Sequence, residues 1–204
     1  MKLVFTGIQG CGKGTQARLL VEKYGYTLVE MGGEFRKIIA SGSELGLKLK
    51  EIMDTGAQVP GELGIAVMEE AILKNDTENV IFDAFVRNER NKEIFDRLLP
   101  DYKVLFFNLS VEKAKARLIG RMYDPVSGET FPAGTKLNPK NSVELVKRDD
   151  DKDEAAILKR ISEFENKTLA IVEIQKQEGR IIEVNADQSI NEVFHEIEEK
   201  LGLK

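Results

Sequence analysis

Lys2-Leu3-Val4-Phe5-Thr6-Gly7-Ile8-Gln9-Gly10-Cys11-Gly12-Lys13-Gly14-Thr15 is the stretch that decides the fold. Leu3 to Phe5 reads as a short buried strand. Gly7, Gly10, Gly12 and Gly14 then make a glycine-dense turn, and Thr15 to Lys23 continues with helical spacing and apolar residues on one side. Strand, glycine turn and helix in that order form the context of a phosphate-binding loop. Glycines let the backbone turn tightly and bring its N–H groups against phosphate oxygens. The helix start adds unpaired N–H groups and the positive end of the dipole. Lys13 reaches toward β- and γ-phosphates, and the Thr15 hydroxyl is suited to Mg²⁺. Gly10, Cys11, Gly12, Lys13, Gly14 and Thr15 are thus the expected nucleotide cradle, with Gly14 inserted between lysine and threonine.

Composition bounds what surrounds this loop. A chain of 204 residues with 42% hydrophobic and 32% charged residues suits one main domain with an insertion or two. The net charge of -5 argues against a general nucleic-acid binder. No apolar run has the length of a membrane span. The single Cys11 excludes an internal disulfide and a cysteine-rich zinc cluster, and a cytoplasmic location fits best.

Strand-like and helical segments alternate along the chain. The other strands are expected at Tyr26–Glu30, Val80–Asp83, Val104–Leu109 and Ile181–Val184. Helices are expected over Gly33–Ala40, Glu44–Met53, Glu62–Lys74, Asn88–Leu99 and Val111–Met122. A long one is expected over Asp151–Lys176 with a capping box at Asp151 and Glu154, and another over Ser189–Leu201 with one at Ser189 and Glu192. Five strands parted by helices predict a parallel, doubly wound α/β sheet. Ligands of such sheets sit beyond the carboxyl ends of the strands. The glycine loop, Asp83–Arg87 and Asn185–Gln188 should therefore share one rim. Residues 31–60 and 123–150 break the alternation, and the second reads as a functional lid.

The charged residues agree with phosphate chemistry. Asp83 ends an apolar strand facing the glycine loop, a position suited to Mg²⁺ or its water shell. The chain has ten arginines against twice as many lysines, and Arg36, Arg87, Arg117, Arg121, Arg148 and Arg160 border the two irregular segments. Arginine donates two parallel charge-assisted bonds to phosphate. Each alone reads as a surface residue; the set reads as phosphoryl-transfer machinery, whose work is alignment and charge neutralisation. His195 lies on a charged helix and reads as a surface residue.

Over nearly its full length the chain resembles adenylate kinases, within the nucleoside monophosphate kinases. The resemblance rests on Gly7–Gln16, on Gly32 and Arg36, and on Ser41–Gly46 and Gly56–Leu63. It continues through Asp83-Ala84-Phe85-Val86-Arg87, Arg117-Leu118-Ile119-Gly120-Arg121, Asp124–Phe131, Arg148 with Asp150-Asp151, and Arg160. It implies a P-loop kinase core of residues 1–30, 61–121 and 151–204, a monophosphate-binding segment at 31–60 and a lid at 122–150. It implies ATP with Mg²⁺ as donor and AMP as acceptor. Arg117 and the backbone near Ala186–Gln188, Gln188 included, would hold the donor base. Met31, Gly32, Arg36, Gln58, Val59, Ala84, Arg87 and Asn91 would hold the acceptor. Lys13, Arg87, Arg121, Arg148 and Arg160 would serve the transfer itself. Some family lids bind zinc through four cysteines; this one has none of them, so no zinc is expected. Oligomeric state stays open, since relatives include monomers and trimers.

The chain departs from the family pattern at several places. Gln9 replaces a proline, Met31 and Gly33 replace the threonine and aspartate of T-G-D, and Ala84 and Val86 replace glycine and proline. Asn91 stands where adenylate kinases usually carry an adenine-reading glutamine, and Arg87–Asn91 resembles UMP/CMP kinases. A site without specific hydrogen-bond partners rejects competitors weakly. The expectation is ATP:AMP phosphotransfer with loosened base selectivity. The alternatives are a UMP/CMP or broad-specificity monophosphate kinase, and a nucleotide-binding scaffold. A GTPase switch would want N-K-x-D, and Asn166-Lys167-Thr168-Leu169 fails at its last residue.

Overall fold

The structure is a computed structural model that describes residues 1–203 except 56–58, 60, 76–77, 149–150 and 152. Its centre is a five-stranded parallel sheet of β1 (Lys2–Gly7), β2 (Thr27–Glu30), β3 (Val80–Asp83), β4 (Lys103–Asn108) and β7 (Ile181–Asn185), in the order β2-β3-β1-β4-β7. A parallel sheet must be covered on both faces. Alternate residues of β1 do this in opposite directions. Leu3 and Phe5 enter one apolar cluster with Leu105, Phe107, Leu20 and Ile197, while Val4 enters the other with Phe82, Val104, Ile72 and Phe95. The helices carrying those partners are α1 (Lys13–Tyr24) and α9 (Ile190–Leu201) on the first face, and α4 (Gly61–Lys74) and α5 (Glu89–Leu98) on the second. On that second face Phe82, Phe85, Phe95 and Tyr102 meet mostly edge to face at centroid separations of 4.9–6.2 Å, a geometry favoured by their quadrupoles.

β1 lies between β3 and β4, with Phe5 opposite Asp83 and Gly7 opposite Phe107. The loop that leaves β1 therefore opens into the crevice flanked by the ends of β3 and β4. Between β2 and α4 run α2 (Met31–Ala40) and α3 (Glu44–Asp54). Gly46 lets them close: a Cβ there would lie 2.5 Å from the Ile38 carbonyl oxygen. Ser43, Asn88, Ser110 and Ser189 cap α3, α5, α6 (Val111–Gly120) and α9 with side-chain oxygens, and the Ser189–Glu192 capping box is present.

Two expectations need correction. The helix expected over Asp151–Lys176 begins at Glu154 as α7 (Glu154–Glu163), widens into a π turn at Phe164–Thr168, and continues as α8 (Leu169–Gln177). Asp153, not Asp151, caps it by accepting from the Ala155 N–H at 2.9 Å. Asp151 is instead drawn inward by two arginines. The helix expected to reach Met122 stops at Gly120, because Met122–Tyr123 (β5) pairs antiparallel with Thr130–Phe131 (β6).

Residues 122–148 form a small unit fastened from inside by Asp124, which is fully buried. Its Oδ1 accepts from the N–H groups of Val126 (2.7 Å) and Ser127 (3.1 Å). Its Oδ2 accepts from Ser127 Oγ (2.8 Å), Asn138 Nδ2 (2.6 Å) and Asn141 Nδ2 (2.8 Å). Burial alone would raise this carboxyl; the bonds from Asn141, Asn138 and Ser127 outweigh it and hold the group far below the usual carboxylate range. The unit touches the core through an ion pair of Lys140 with Glu22 at 2.6 Å and a bond from Arg18 to the Gly128 carbonyl at 3.0 Å. Among the described residues no helix is long and apolar enough to cross a membrane.

Ala84, just after β3, has φ +64°, a left-handed conformation that crowds a Cβ. That crowding costs about 1–2 kcal/mol, against roughly 0.4–1 kcal/mol of extra unfolded-chain entropy for glycine. Ala84→Gly should therefore stabilise the protein by about 0.5 kcal/mol, read as a higher urea midpoint at unchanged slope. Asp124→Asn would turn an amide donor toward other donors. It should speed hydrogen exchange at the Tyr123 and Val146 amides while leaving those of β1 and β4 protected.

Candidate active site

The glycine loop is shaped by close approaches on two sides. A Cβ on Gly7 (φ +154°) would lie 2.7 Å from the Phe107 carbonyl oxygen, and one on Gly10 (φ +87°) 2.9 Å from that of Ala114. The loop is thus pressed onto β4 and α6. Gly12 (φ +97°) has open space where a Cβ would be, which leaves the inner side of the loop clear. Gly12 is also the N-cap of α1 and gives no side-chain bond, so the first-turn N–H groups face the cavity uncapped. Lys13 Nζ spans the loop mouth, donating to the carbonyls of Gly7 (2.7 Å) and Ile8 (3.2 Å). Cys11 is buried beneath it.

The loop floors a cavity of about 910 Å³ that runs from α9 to α3. Every site residue expected from the sequence lines this cavity except Gln58, which lies outside the described residues, as does Asp150 of the Arg148–Asp151 motif. At one end Arg117 donates to the Ala186 carbonyl at 3.2 Å, and the Gln188 amide is held by Glu196 at 2.7 Å and by the Asn185 carbonyl at 3.0 Å. At the other end Met31, Phe35, Met53, Val59 and Met68 give an apolar wall with Asn91 at its edge. Arg36 lies over Gly32, where a Cβ would come within 3.1 Å of its guanidinium.

Between the two ends four arginines converge: Arg87, Arg121, Arg148 and Arg160. Arg87 is held by its own turn, Nε donating to the Ala84 carbonyl at 3.0 Å. Arg148 lies over the Tyr123 ring with 5.7 Å to its centroid. Arg121 and Arg160 share one counter-ion. Asp151, 4% exposed, takes Arg121 Nε at 2.7 Å on Oδ2 and Arg160 on Oδ1. Burial weakens the hold of Arg87 on its proton, Asp83 opposes this, and the charges of Arg160 and Arg148 add to it. The same holds for Arg121, with burial first, Arg148 reinforcing and Asp151 opposing. Guanidinium stays charged regardless, so the cluster is a concentrated cationic surface suited to polyphosphate.

The cavity also holds carboxylates. Asp83 Oδ1 is closed off from solvent and has no hydrogen-bond partner among the described residues. Burial pushes this carboxyl up, with Lys13 and Arg87 opposing and Glu30 adding to the rise. Glu30 and Arg18 are not expected as site residues from the sequence, whereas Asp151 belongs to the Arg148–Asp151 motif and to an acidic run suited both to starting a helix and to holding the lid arginines. Glu30 and Arg18 carry no motif signal, and the acids near Asp151 read as a helix start. Only the folded topology brings them here.

A family model described as adenylate kinase matches residues 5–180. The chain is 34% identical to the adenylate kinase of Alkaliphilus oremlandii, with 99% of each chain covered. It is 35% identical to that of Chloroherpeton thalassium over 98% of each, and 33% identical to that of Oceanobacillus iheyensis over 100% of each. A glycine loop, a gathered set of arginines and whole-length similarity point the same way, and the chain belongs to the adenylate kinase family.

Proposed function

We propose that this cavity performs the family's reaction with the residues in the following roles. Adenylate kinases transfer a phosphoryl group reversibly between ATP and AMP, and the chain is an enzyme of that kind. The first-turn N–H groups of α1, the loop backbone and Lys13 hold the donor's phosphates. Arg117 and the Ala186–Gln188 backbone border the donor base. Arg36 and Arg87 hold the acceptor's phosphate beside the apolar wall of Met31, Phe35 and Val59. Arg121, Arg148 and Arg160 neutralise the group in transfer. The acceptor is itself an anionic phosphate, so no side-chain base is required.

The observation that carries these assignments is the convergence of four arginines and Lys13 on one cavity, with a buried carboxylate fixing two of the arginines. Charge must be neutralised at the moment of transfer by groups already in place. Residues 122–150 act as the lid and 31–60 as the acceptor-binding segment over a core of 1–30, 61–121 and 151–204. Closing both excludes water, which otherwise takes the phosphoryl group. Mg²⁺ fits the site: the unpartnered Asp83 oxygen and the Thr15 hydroxyl are oxygen donors of the kind it takes through its waters. When bound, it would supply positive charge that neutralises the phosphates during transfer.

The relatives are named adenylate kinases, so the pyrimidine and broad-specificity alternatives are not favoured. A coupled assay of ADP formation should show AMP well ahead of CMP, UMP and GMP at equal concentration; parity among the four would reverse this. Lys13→Ala should lose about a hundredfold or more of kcat/KM, and equal inertness of both proteins would leave only a nucleotide-binding scaffold. Asp151→Asn uncouples a buried carboxylate from two guanidinium groups. It should cost on the order of 3 kcal/mol of stability, measured by urea denaturation, and lower kcat more than it raises KM.

A further inference from the structure

Glu30 is an unusual presence in a phosphate site. It closes β2, pairs in register with Asp83 at the end of β3, and lines the same cavity. Adjacent strands lie about 4.8 Å apart, so the topology sets two acidic residues side by side at the carboxyl edge of the sheet. Its side chain lies between the glycine loop and α2. A Cβ on Gly14 would sit 3.7 Å from Glu30 Oε1, and one on Gly33 would sit 3.3 Å from the Glu30 Cβ. Gly33 thus leaves the room that Glu30 occupies.

A carboxylate placed there repels the nucleotide's phosphates unless a cation lies between them. Arg18 is a weak candidate for that cation. Its contact to Glu30 Oε2 is long, 3.4 Å, and its guanidinium is also directed to the carbonyls of Gly14 (3.2 Å) and Gly128 (3.0 Å). Asp83 Oδ1, beside Glu30, is buried and has no hydrogen-bond partner among the described residues, although the charges of Lys13, Arg87 and Arg18 face it. Mg²⁺ is characteristically held by one or two carboxylates, several waters and the substrate's phosphates. Among the described residues no three His, Cys, Asp or Glu side chains gather to hold a metal, so the ion would arrive with its nucleotide.

The geometry points to Glu30 as the second carboxylate of the magnesium–nucleotide site, receiving the ion's waters beside Asp83. This rests on the placement of Mg²⁺ proposed above and extends it to a residue outside the phosphate-loop motif.

The test is Glu30→Gln, nearly isosteric, at a helix N-cap that gives no side-chain capping bond. Mn²⁺ serves as the probe, its free signal followed by electron paramagnetic resonance in the presence of enzyme and a non-hydrolysable ATP analogue. Glu30→Gln should weaken Mn²⁺ binding about tenfold, and Glu30→Asp should recover part of the loss. In chelator, without metal, calorimetry should show the analogue binding more tightly to Glu30→Gln than to the wild type, because a negative charge has left the cradle. Arg18→Gln should not weaken Mn²⁺ binding as Glu30→Gln does. Wild-type Mn²⁺ affinity in Glu30→Gln would overturn the assignment and leave Glu30 as an ion-pair partner for Arg18. Parallel losses in Glu30→Gln and Arg18→Gln would overturn it in the same way. If the wild type bound no Mn²⁺ with the analogue, the magnesium placement itself would fall, and this assignment with it.

Discussion

Mutual repulsion among fixed cations is the constraint that the rest of this structure accommodates. Arg87, Arg121, Arg148, Arg160 and Lys13 surround one cavity, two of the arginines lose solvation on burial, and each neighbouring guanidinium adds to the cost. The fold answers with carboxylates set against the cluster. Asp151, itself buried, binds two guanidinium groups. Asp83 opposes the field at Arg87. The arginines are thereby held in position around the cavity. Oriented charge of this kind needs no reorganisation when the phosphoryl group moves.

Much of this was legible in the sequence because it depends on local chemistry. The loop from Gly7 to Thr15 encodes its own geometry through glycines, and the apolar strands Leu3–Phe5 and Val104–Phe107 can only be buried. The arginines stood out because they are few and border irregular segments. What the sequence leaves open depends on long-range placement. Asp151 sits in a run of acids with capping-box spacing, and its spacing to Glu154 is what a helix start would show. The competing pull of Arg121, thirty residues earlier, is invisible without the fold. Glu30 and Arg18 are ordinary charged residues until β2 is laid beside β3. The π turn at Phe164–Thr168 is equally silent, since a single widened turn leaves helical periodicity almost intact.

The departures from the family pattern separate into two kinds. Ala84 in a left-handed turn is a local strain that the surrounding structure holds, and that turn presents the carbonyl that fixes Arg87. Gly33 is different, because a Cβ there would press on the Glu30 side chain, 3.3 Å from its Cβ.

The buried carboxylate of Asp124 has a consequence for how the molecule assembles. Its furthest partner, Asn141, is seventeen residues along the chain, and the others are nearer. Closing so short a loop costs little chain entropy. The central sheet, by contrast, must bring together strands that begin at residue 2 and at residue 181. Contacts of low sequence separation form early, and long-range parallel pairing is slow. The 122–148 segment can therefore acquire its own structure before the sheet is complete. The same self-sufficiency leaves its internal bonds independent of its contacts to the core at Lys140 and Gly128.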